Sequence, residues 1–429
     1  MRRCGKTGTR RRTLADQEHS LPPLVAQQPF DHWFMRKLRM DMSWQDYARS
    51  LVTPFNLLVA AVLVVGIPLI VVRFVYGLEA VTHGSDDYPW GLLIFWGLFA
   101  LVPLSATGFT MASAYYIFGF RRYAPMVRIG VLAGFLGYLF AVCYLLIDMG
   151  RPWRIYYPMA VSFGMASVLF SVAWHVAVYL TVQLLEFSPA ILEWLQSKRV
   201  RRWATKITVA MTIAGIILTT LHQAGLGAMY QLAPGRLHAL WYSQFLPELF
   251  LASSVYVAIA MMIVICALVA RFMPERCDET FLGSLDRLTI GLGQAAAIAM
   301  YVYFVMKMIS VAHDREWDLL GTPYGYWFLV ETVGFVLLPA LVLTLGVKVA
   351  HAGVVRIGAW LAVIGLLLNR LNVCIVAFNW DLPGHLQAIV PTWQEVVIAL
   401  TLTAIHVVLF RWIVNRMPVA REESGFKAH

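Results

Sequence analysis

Long apolar runs recur along almost the whole chain, and short polar segments separate them. Ten runs are long enough for helices that cross a bilayer, at about 54–78, 90–117, 127–148, 165–187, 206–230, 246–272, 288–312, 325–349, 354–377 and 393–413. A hydrocarbon core about 30 Å thick requires about 20 apolar residues in a helix. Because backbone groups in lipid must bond within their own segment, such runs indicate helices rather than barrel strands. The pattern therefore predicts an all-α integral membrane protein with ten transmembrane helices, which we call spans 1 to 10.

Composition agrees with this class. Of 429 residues, 60% are hydrophobic and 14% are charged, and the mean hydropathy is +0.68. A soluble domain has about 25% charged residues. Residues 1–53 form a basic cytoplasmic tail that we expect to end in an amphipathic helix at the membrane surface, and residues 414–429 form a second cytoplasmic tail.

Basic residues predict the orientation. With both termini in the cytoplasm, the cytoplasmic segments and the adjoining span ends hold 27 of the 34 Lys and Arg residues. Such an excess marks the cytoplasmic side. The net charge of +10 then reflects topology and contact with anionic membrane lipids, and we expect no nucleic-acid binding.

Cysteine and histidine spacing argues against a metal centre in this chain. The five cysteines form no CxxC or CxxCH motif, so the sequence offers no iron–sulfur site and no c-type haem attachment. A haem b would need two axial ligands at one depth on facing helices. His222, His175 and His406 instead fall near the outer face, the middle and the inner third. We therefore expect no haem, no iron–sulfur cluster and no metal, so that electrons come from another subunit.

Polar residues inside the spans collect in the half away from the cytoplasm. They are Asp86, Asp87, Trp90, Asp148, Arg151, His222, Gln223, Glu248, Lys307, Glu331, Asn369, Arg370, Asn372 and Glu395. A charge inside a span costs roughly 2.5–3.5 kcal/mol. The pattern therefore predicts a polar site near the outer face.

Structural explanations remain open for part of this set. Side chains at helix ends can reach the membrane interface, which applies to Glu248, Glu395 and Arg73. Charged residues in the second half of the chain can form ion pairs between helices instead of a ligand site, which applies to Lys307, Glu331 and Arg370. Because His222 and Gln223 lie more than one turn inside span 5, we favour a ligand site there.

The inner half carries weaker polarity. A candidate proton path consists of Thr107, Thr110, Ser113, Tyr115 and His175. The alternative is that these groups form hydrogen bonds between helices that serve packing.

Short motifs occur in order from span 2 to span 10. They are "DDYPWGL" (86–92), "IDMGRPW" (147–153), "LLEFSP" (184–189), "TTLHQAGLG" (219–227), "LHALWY" (237–242), "LNRLNV" (368–373) and "PTWQE" (391–395). In these motifs the chain resembles the NrfD/polysulfide reductase (NrfD/PsrC) membrane subunit family, and within it the ten-helix HybB/DsrP/Qrc-like branch. The likeness covers nearly the whole chain after residue 50.

The resemblance implies an architecture and a set of partners. Spans 2–5 (residues 86–230) and spans 6–9 (residues 246–377) would form two four-helix bundles, with span 1 and span 10 beside them. Menaquinone would bind in the first bundle near the outer face, under a periplasmic iron–sulfur (ferredoxin-like) subunit. A periplasmic catalytic or multihaem cytochrome c subunit would complete the complex in the bacterial inner (cytoplasmic) membrane. The second bundle would hold a polar site of Glu248, Lys307, Glu331, Asn369 and Arg370.

Carried over residue by residue, the resemblance implies that His222 and Asp87 meet the quinone oxygens. Quinone reduction consumes protons, and an imidazole is a suitable donor near neutral pH. We therefore predict catalytic roles for His222, Asp87 and Asp148. The predicted quinone-binding residues are Asp86, Trp90, Arg151, Trp153, Gln223 and His83.

The chain also departs from the family pattern, and other functions remain open. Ser171 stands in span 4 where the hydrogenase branch is expected to carry an acid, which favours a cytochrome-linked menaquinone reductase over a hydrogenase-2 subunit. The alternatives are an anchor subunit with or without haem b and a proton or solute transporter. A transporter is expected to place its charges beside broken helices at mid-membrane, whereas here they lie at the outer end.

Overall fold

The computed structural model describes residues 30–84, 90–383 and 390–421. Within these ranges the regular structure is helical, apart from one isolated bridge between Leu237 and Phe378. Ten of the described helices are long and apolar enough to cross a membrane, as the pattern predicts. Spans 1 to 10 are Pro54–Tyr76, Leu92–Ile117, Arg121–Asp148, Val168–Trp194, Lys198–Gln231, Leu246–Phe272, Glu279–Asp314, Pro323–Lys348, Ala352–Val376 and Trp393–Arg416. The protein is therefore a multi-pass integral membrane protein. We call the ends nearest residues 78–91, 149–167, 232–245, 315–322 and 377–392 the outer ends, following the predicted orientation.

The segment that precedes span 1 forms a compact unit of its own. Its described part contains α1 (Phe30–Leu38) and α2 (Trp44–Leu51). The Ser43 hydroxyl caps α2 by accepting a hydrogen bond from the Asp46 backbone N–H at 3.1 Å. No residue of α2 is buried. A role for this unit at the membrane surface stays a prediction.

Contacts divide the spans into two groups. Spans 2 to 5 contact one another, and so do spans 6 to 9, while span 10 packs against span 1 and span 3. Span 6 also touches spans 2 and 5, so it joins the two groups and is the most buried of the ten. Span 1 is the least buried, because its apolar side chains face the region that lipid would fill.

Span 10 is held close to span 1 by small side chains and a cap. A Cβ atom on Gly66 would lie 1.7 Å from the Thr401 hydroxyl oxygen, so only glycine permits this approach. At its outer end, Thr392 and Glu395 form a capping box in which each side chain accepts a hydrogen bond from the other residue's backbone N–H. Glu395 is 2% exposed. Glu395 is therefore a buried cap at the outer end of span 10.

Four segments of the spans are π-helical. They are Phe95–Ala100 and Ser113–Ile117 in span 2, Val330–Leu337 in span 8 and Asn372–Val376 in span 9. A π-turn leaves the usual hydrogen-bond pattern and often occurs at functional sites. Those of spans 8 and 9 contain Glu331 and Asn372, two of the polar residues singled out from the sequence.

Candidate functional site

Span 5 brings an imidazole and an amide into the protein interior. His222 and Gln223 are fully buried. The His222 Nε2 atom lies 2.5 Å from the hydroxyl oxygen of Tyr138 in span 3. Gln223 Nε2 donates to the same hydroxyl oxygen and to the backbone carbonyl of Val102 in span 2, both at 3.3 Å. Three spans therefore meet at one buried polar cluster, which we call the His222 cluster.

The hydrogen bonds of this cluster favour one arrangement of protons. Because Gln223 donates to the Tyr138 oxygen, the phenolic proton is available to His222 Nε2. The imidazole proton then resides on Nδ1, which is directed at the backbone carbonyl of Leu218 outside standard hydrogen-bond geometry. Gln223 Oε1 has no hydrogen-bond partner among the described residues. The cluster thus holds a transferable proton and retains unused hydrogen-bonding capacity.

Span 4 adds an aromatic and an amide side chain beneath this cluster. The ring of Tyr179 lies 4.7 Å from that of Tyr138 and 5.5 Å from that of His222. Gln183 Nε2 donates to the Tyr179 hydroxyl at 2.8 Å. Sequence reasoning did not single out Tyr138 or Tyr179, because a tyrosine in an apolar helix is usually a packing residue. A polar neighbour four residues away, as in Tyr179 and Gln183, was the one available signal.

An aromatic wall stands at the outer end of the same spans. The Trp90 ring stacks between Phe99 at 5.0 Å and Phe378 at 5.6 Å and meets the edge of Tyr230 at 4.5 Å. Tyr230 lies eight residues after His222 in span 5, a rise of about 12 Å. The half-buried Trp90 is therefore part of an aromatic wall above the His222 cluster, and its role in quinone binding stays a prediction.

Asp148 belongs to a different cluster, between spans 1, 3 and 10. Its charge interacts with those of Glu395 and Arg73. The Arg73 guanidinium donates to the backbone carbonyls of Ile147 and Met149 and so caps span 3. Arg73 lies in the last turn of span 1 and is only 2% exposed, so its charge is held by contacts within the protein.

Several other predicted quinone-binding residues are not in the His222 cluster. Asp86 and Asp87 lie outside the described residues. His83 is exposed, and its charge interacts with that of Glu395. Arg151 and Trp153 are exposed on the loop after span 3, where the Trp153 side chain is 66% exposed. The structure therefore does not bring these two predicted quinone-binding side chains to the His222 cluster, and their role stays a prediction.

The second group of spans contains a separate buried cluster. Glu331 accepts hydrogen bonds from Trp241, Asn369 and Asn372 at 2.6–2.7 Å, and Lys307 Nζ lies 3.4 Å from its Oε1. Arg370 donates to Asn369. Glu248, by contrast, is exposed at the start of span 6 and does not take part in this buried cluster.

Most hydroxyl groups of the candidate proton path are occupied by hydrogen bonds to the backbone. Thr107, Thr110 and Ser113 each donate a hydrogen bond to a backbone carbonyl. Such bonds agree with the alternative that these hydroxyls serve packing. The sequence places His175 in the inner half of span 4. Because that span begins at Val168, His175 lies in its outer half instead.

A different set of polar groups lines the inner side of the first group. A cavity of about 120 Å³ is bordered by Glu186, Arg128, Arg201 and Thr208, among others. Glu186 is 7% exposed and accepts a hydrogen bond from Thr212 at 2.8 Å, while its Oε2 has no partner among the described residues. Such a polar cavity is large enough to hold water.

Two titratable groups in the outer loops have shifted pKa values. Burial lowers the pKa of His238, whose ring stacks on Tyr324 at 4.6 Å. Burial and the charge of Asp314 raise the pKa of Glu316 to about 7. Glu316 therefore changes its charge near neutral pH in the folded protein.

Comparison with known proteins gives a family for the part of the chain that contains spans 2 to 9. Residues 80–379 match the NrfD polysulphide reductase family. A protein of Nitratidesulfovibrio vulgaris is 42% identical over 379 residues, which cover 88% of this chain and 97% of the relative. The "Probable Ni/Fe-hydrogenase 2 b-type cytochrome subunit" of Escherichia coli is 28% identical, with coverage of 82% and 88%. The "Menaquinone reductase, integral membrane subunit" of N. vulgaris is 25% identical, with coverage of 80% and 86%. Since the family match spans most of the chain and contains all the motifs noted in the sequence except the one at 391–395, the chain belongs to the NrfD polysulphide reductase family.

Proposed function

We propose that this chain is the quinone-reacting membrane subunit of a respiratory oxidoreductase complex. In this role it passes electrons between an iron–sulfur subunit on the outer side and menaquinone. The observation that carries the proposal is the His222 cluster, in which an imidazole, a phenol and an amide meet in a buried position below an aromatic wall. The two relatives named for hydrogenase and menaquinone reductase complexes support the same role.

The residues present suit a quinone. Its flat ring would lie against the aromatic wall of Trp90, Phe99 and Tyr230, since offset and edge contacts between rings are favourable. Its oxygens accept hydrogen bonds, and in the proton arrangement described above the imidazole Nδ1–H is the donor that the His222 cluster leaves available. Gln223 Oε1 and His222 Nδ1, which lack standard hydrogen bonds among the described residues, leave this cluster able to rearrange around a polar ligand.

The protein's part in the chemistry is proton delivery and orientation. Bound menaquinone accepts electrons, and its reduction consumes one proton for each electron. Tyr138 and His222 share a proton, so His222 can donate toward a ring oxygen while Tyr138 restores its charge state. Gln223 fixes the Tyr138 hydroxyl in place.

Asp87, with Asp86 and His83, remains the proposed partner for the far end of the ring. We place Asp148 at the outer edge of the proposed quinone site and not beside the ring. It lies ten residues beyond Tyr138 in span 3, a rise of about 15 Å. Arg151, Trp153 and their loop would then contact the partner subunit or the quinone entrance.

Protons for this reaction are proposed to come from the inner side. Glu186 borders the inner cavity, and it bonds Thr212 of span 5. Glu186 Oε2, Gln183 Oε1 and Thr219 Oγ1 are buried with no hydrogen-bond partner among the described residues, and such atoms are sites where water binds. Gln183 lies one turn outward from Glu186 in span 4, and Thr219 lies one turn before His222 in span 5. We propose that these groups carry protons from the cavity toward His222. Uptake by this route, with electrons from outside, makes the reaction electrogenic.

A haem b-carrying anchor is the second candidate, and two observations favour testing it. One relative is named as a b-type cytochrome subunit. His175 in span 4 and His222 in span 5 also interact electrostatically. The argument from sequence that these two histidines lie at different membrane depths therefore does not exclude them as a pair of haem ligands. His222 Nε2 already pairs with Tyr138, which favours the quinone role. The absence of haem and of iron–sulfur clusters stays a prediction.

The complex purified from its own membranes tests this proposal. We expect solvent extraction to release menaquinone, electron donors to reduce added menaquinone analogues, and the reduced complex to show no haem b absorption from this subunit. Copurification with an iron–sulfur subunit is expected as well. A complex that neither retains nor reduces quinone contradicts the proposal, and a haem b spectrum that requires His175 and His222 would replace it with the anchor function.

A further inference from the structure

The buried cluster between spans 7, 8 and 9 has an unusual charge balance. Lys307, Glu331 and Arg370 are 5%, 0% and 1% exposed. Glu331 Oε1 accepts from Asn369 at 2.7 Å, and Oε2 accepts from Trp241 at 2.7 Å and from Asn372 at 2.6 Å. With Lys307 Nζ 3.4 Å away as well, this carboxylate is surrounded by donors, as an ionised group requires.

Arg370 has neutral partners. Its Nη1 donates to Asn369 Oδ1 and its Nη2 donates to Ser253 Oγ, both at 2.6 Å. No carboxylate lies within ion-pair distance of it among the described residues, where the Glu331 carboxylate pairs with Lys307 instead. With Lys307 and Arg370 protonated and Glu331 ionised, the three side chains bring two positive charges and one negative charge into the interior, and the carboxylate pairs with Lys307.

Two π-turns build this arrangement. Glu331 lies in the π-helical segment of span 8 and Asn372 in that of span 9. Each π-turn and each buried charge costs folding free energy. Ion pairing alone does not account for Arg370, because a cluster of Lys307 and Glu331 without it would already be neutral.

Arg370 stands directly behind the aromatic wall of the proposed quinone site. Its guanidinium carbon lies 3.7 Å from the ring centroid of Phe250. Phe250 in turn contacts Phe99 at 6.3 Å and Tyr230 at 5.9 Å, and both of these rings pack on Trp90. The charge of Arg370 also acts on the Tyr230 hydroxyl.

We propose that Arg370 is an electrostatic positioning residue for the quinone site of the neighbouring span group. Its uncompensated positive charge acts through the Phe250 and Tyr230 rings and favours negative charge on the bound ring. A fixed charge in a low-dielectric interior acts without reorganisation and is therefore effective at a distance. Lys307 and Glu331 hold Arg370 in position and set the net charge of the cluster. This inference rests on the proposed quinone function.

Binding of two small naphthoquinones to the purified complex tests the inference without turnover. The probes are 2-hydroxy-1,4-naphthoquinone, which is an anion at neutral pH, and neutral 2-methyl-1,4-naphthoquinone. Arg370→Gln should weaken binding of the anionic probe by about tenfold relative to binding of the neutral probe. This is the effect of one charge at roughly 12 Å in an effective dielectric near 20. Arg370→Lys should restore the wild-type ratio. Glu331→Gln, which makes the cluster more positive, should shift the ratio in the opposite direction.

The sign of these shifts separates an electrostatic role from a structural one. If the three variants weaken the binding of both probes equally, Arg370 only supports packing and the inference is overturned. The proposed quinone function then still stands. If the wild-type complex binds neither probe, the quinone function fails and the inference fails with it. Should Arg370→Gln not reach the membrane, Lys307→Met removes the same unit of charge and is expected to shift the ratio as Arg370→Gln would.

Discussion

His222 Nε2 and the Tyr138 hydroxyl oxygen lie 2.5 Å apart, although 84 residues separate them in the sequence. The contact joins span 5 to span 3 in the interior of the first span group. Both residues are fully buried, so the proton between them is isolated from bulk water and can be passed only to a neighbouring group. This pair is the centre of the proposed reaction.

Tyr138→Phe tests whether that shared proton matters. The variant keeps the ring that packs on Tyr179 but removes the hydroxyl. Loss of one proton-transfer partner costs about a hundredfold in rate, so we expect quinone reduction to fall by that order while the complex still assembles. Steady-state reduction of a menaquinone analogue by the purified complex measures it. Tyr326→Phe, at a 63% exposed position, is the control and should leave the rate unchanged; equal rates in both variants would remove Tyr138 from the mechanism.

Glu186→Gln tests the inner proton route against the alternative read from the sequence. We expect the variant in liposomes to lose at least about tenfold in turnover and in membrane-potential formation, because the group that takes protons from the cavity can no longer ionise. A voltage-sensitive dye reports the potential. Thr110→Val and Ser113→Ala should behave like wild type, since these hydroxyls donate to backbone carbonyls. The reverse pattern would favour the path through span 2.

Glu316 should give the outer loops a stability that depends on pH. Its pKa is raised from 4.5 to about 7 in the folded protein. The folded state therefore binds a proton that the unfolded chain has released, and the free energy of unfolding decreases as pH rises through this window. Glu316→Gln should flatten that part of the profile. Thermal unfolding in detergent at pH 5 and pH 8 measures it, with the exposed Asp318→Asn as the control; the same flattening in the control would contradict the assignment.

Tyr144 is expected to fasten span 10 to span 3. Its hydroxyl donates to the Ala399 carbonyl at 2.6 Å and pairs with the Thr403 hydroxyl at 2.9 Å, which also accepts from Trp96. Hydrogen bonds between helices in a membrane contribute about 1 kcal/mol, so Tyr144→Phe should lower the free energy of unfolding by about that much. Unfolding by detergent titration in mixed micelles measures the change. An unaltered midpoint would show that apolar contacts alone hold span 10.

The sequence predicts the spans well because hydropathy reports the one property that lipid demands of a helix. All ten predicted spans correspond to helices of the described chain. Their inner ends are less predictable. Span 5 extends over 34 residues and span 7 over 36, because helices continue past the bilayer with polar turns that hydropathy does not register.

The candidate site was only partly predictable for a related reason. A histidine in an apolar run is conspicuous, so His222 could be found from sequence alone. Tyr138, Tyr179 and Glu186 lie on other helices, and their relation to His222 depends on how the spans pack. Trp153 shows the opposite case. The motif at 147–153 led us to predict that it lines the quinone ring, but its side chain is exposed on the loop after span 3.

The central claim is that His222 acts on menaquinone, and a comparison of two histidine variants tests it most directly. His406 is a matched control, since it lies inside span 10 and stacks on Phe140 at 4.7 Å, away from the His222 cluster. In complexes purified with all their subunits, His222→Ala should abolish quinone reduction and weaken binding of a menaquinone analogue, while His406→Ala retains both. Quinone reduction that survives in His222→Ala, or that is lost equally in the two variants, would contradict the account.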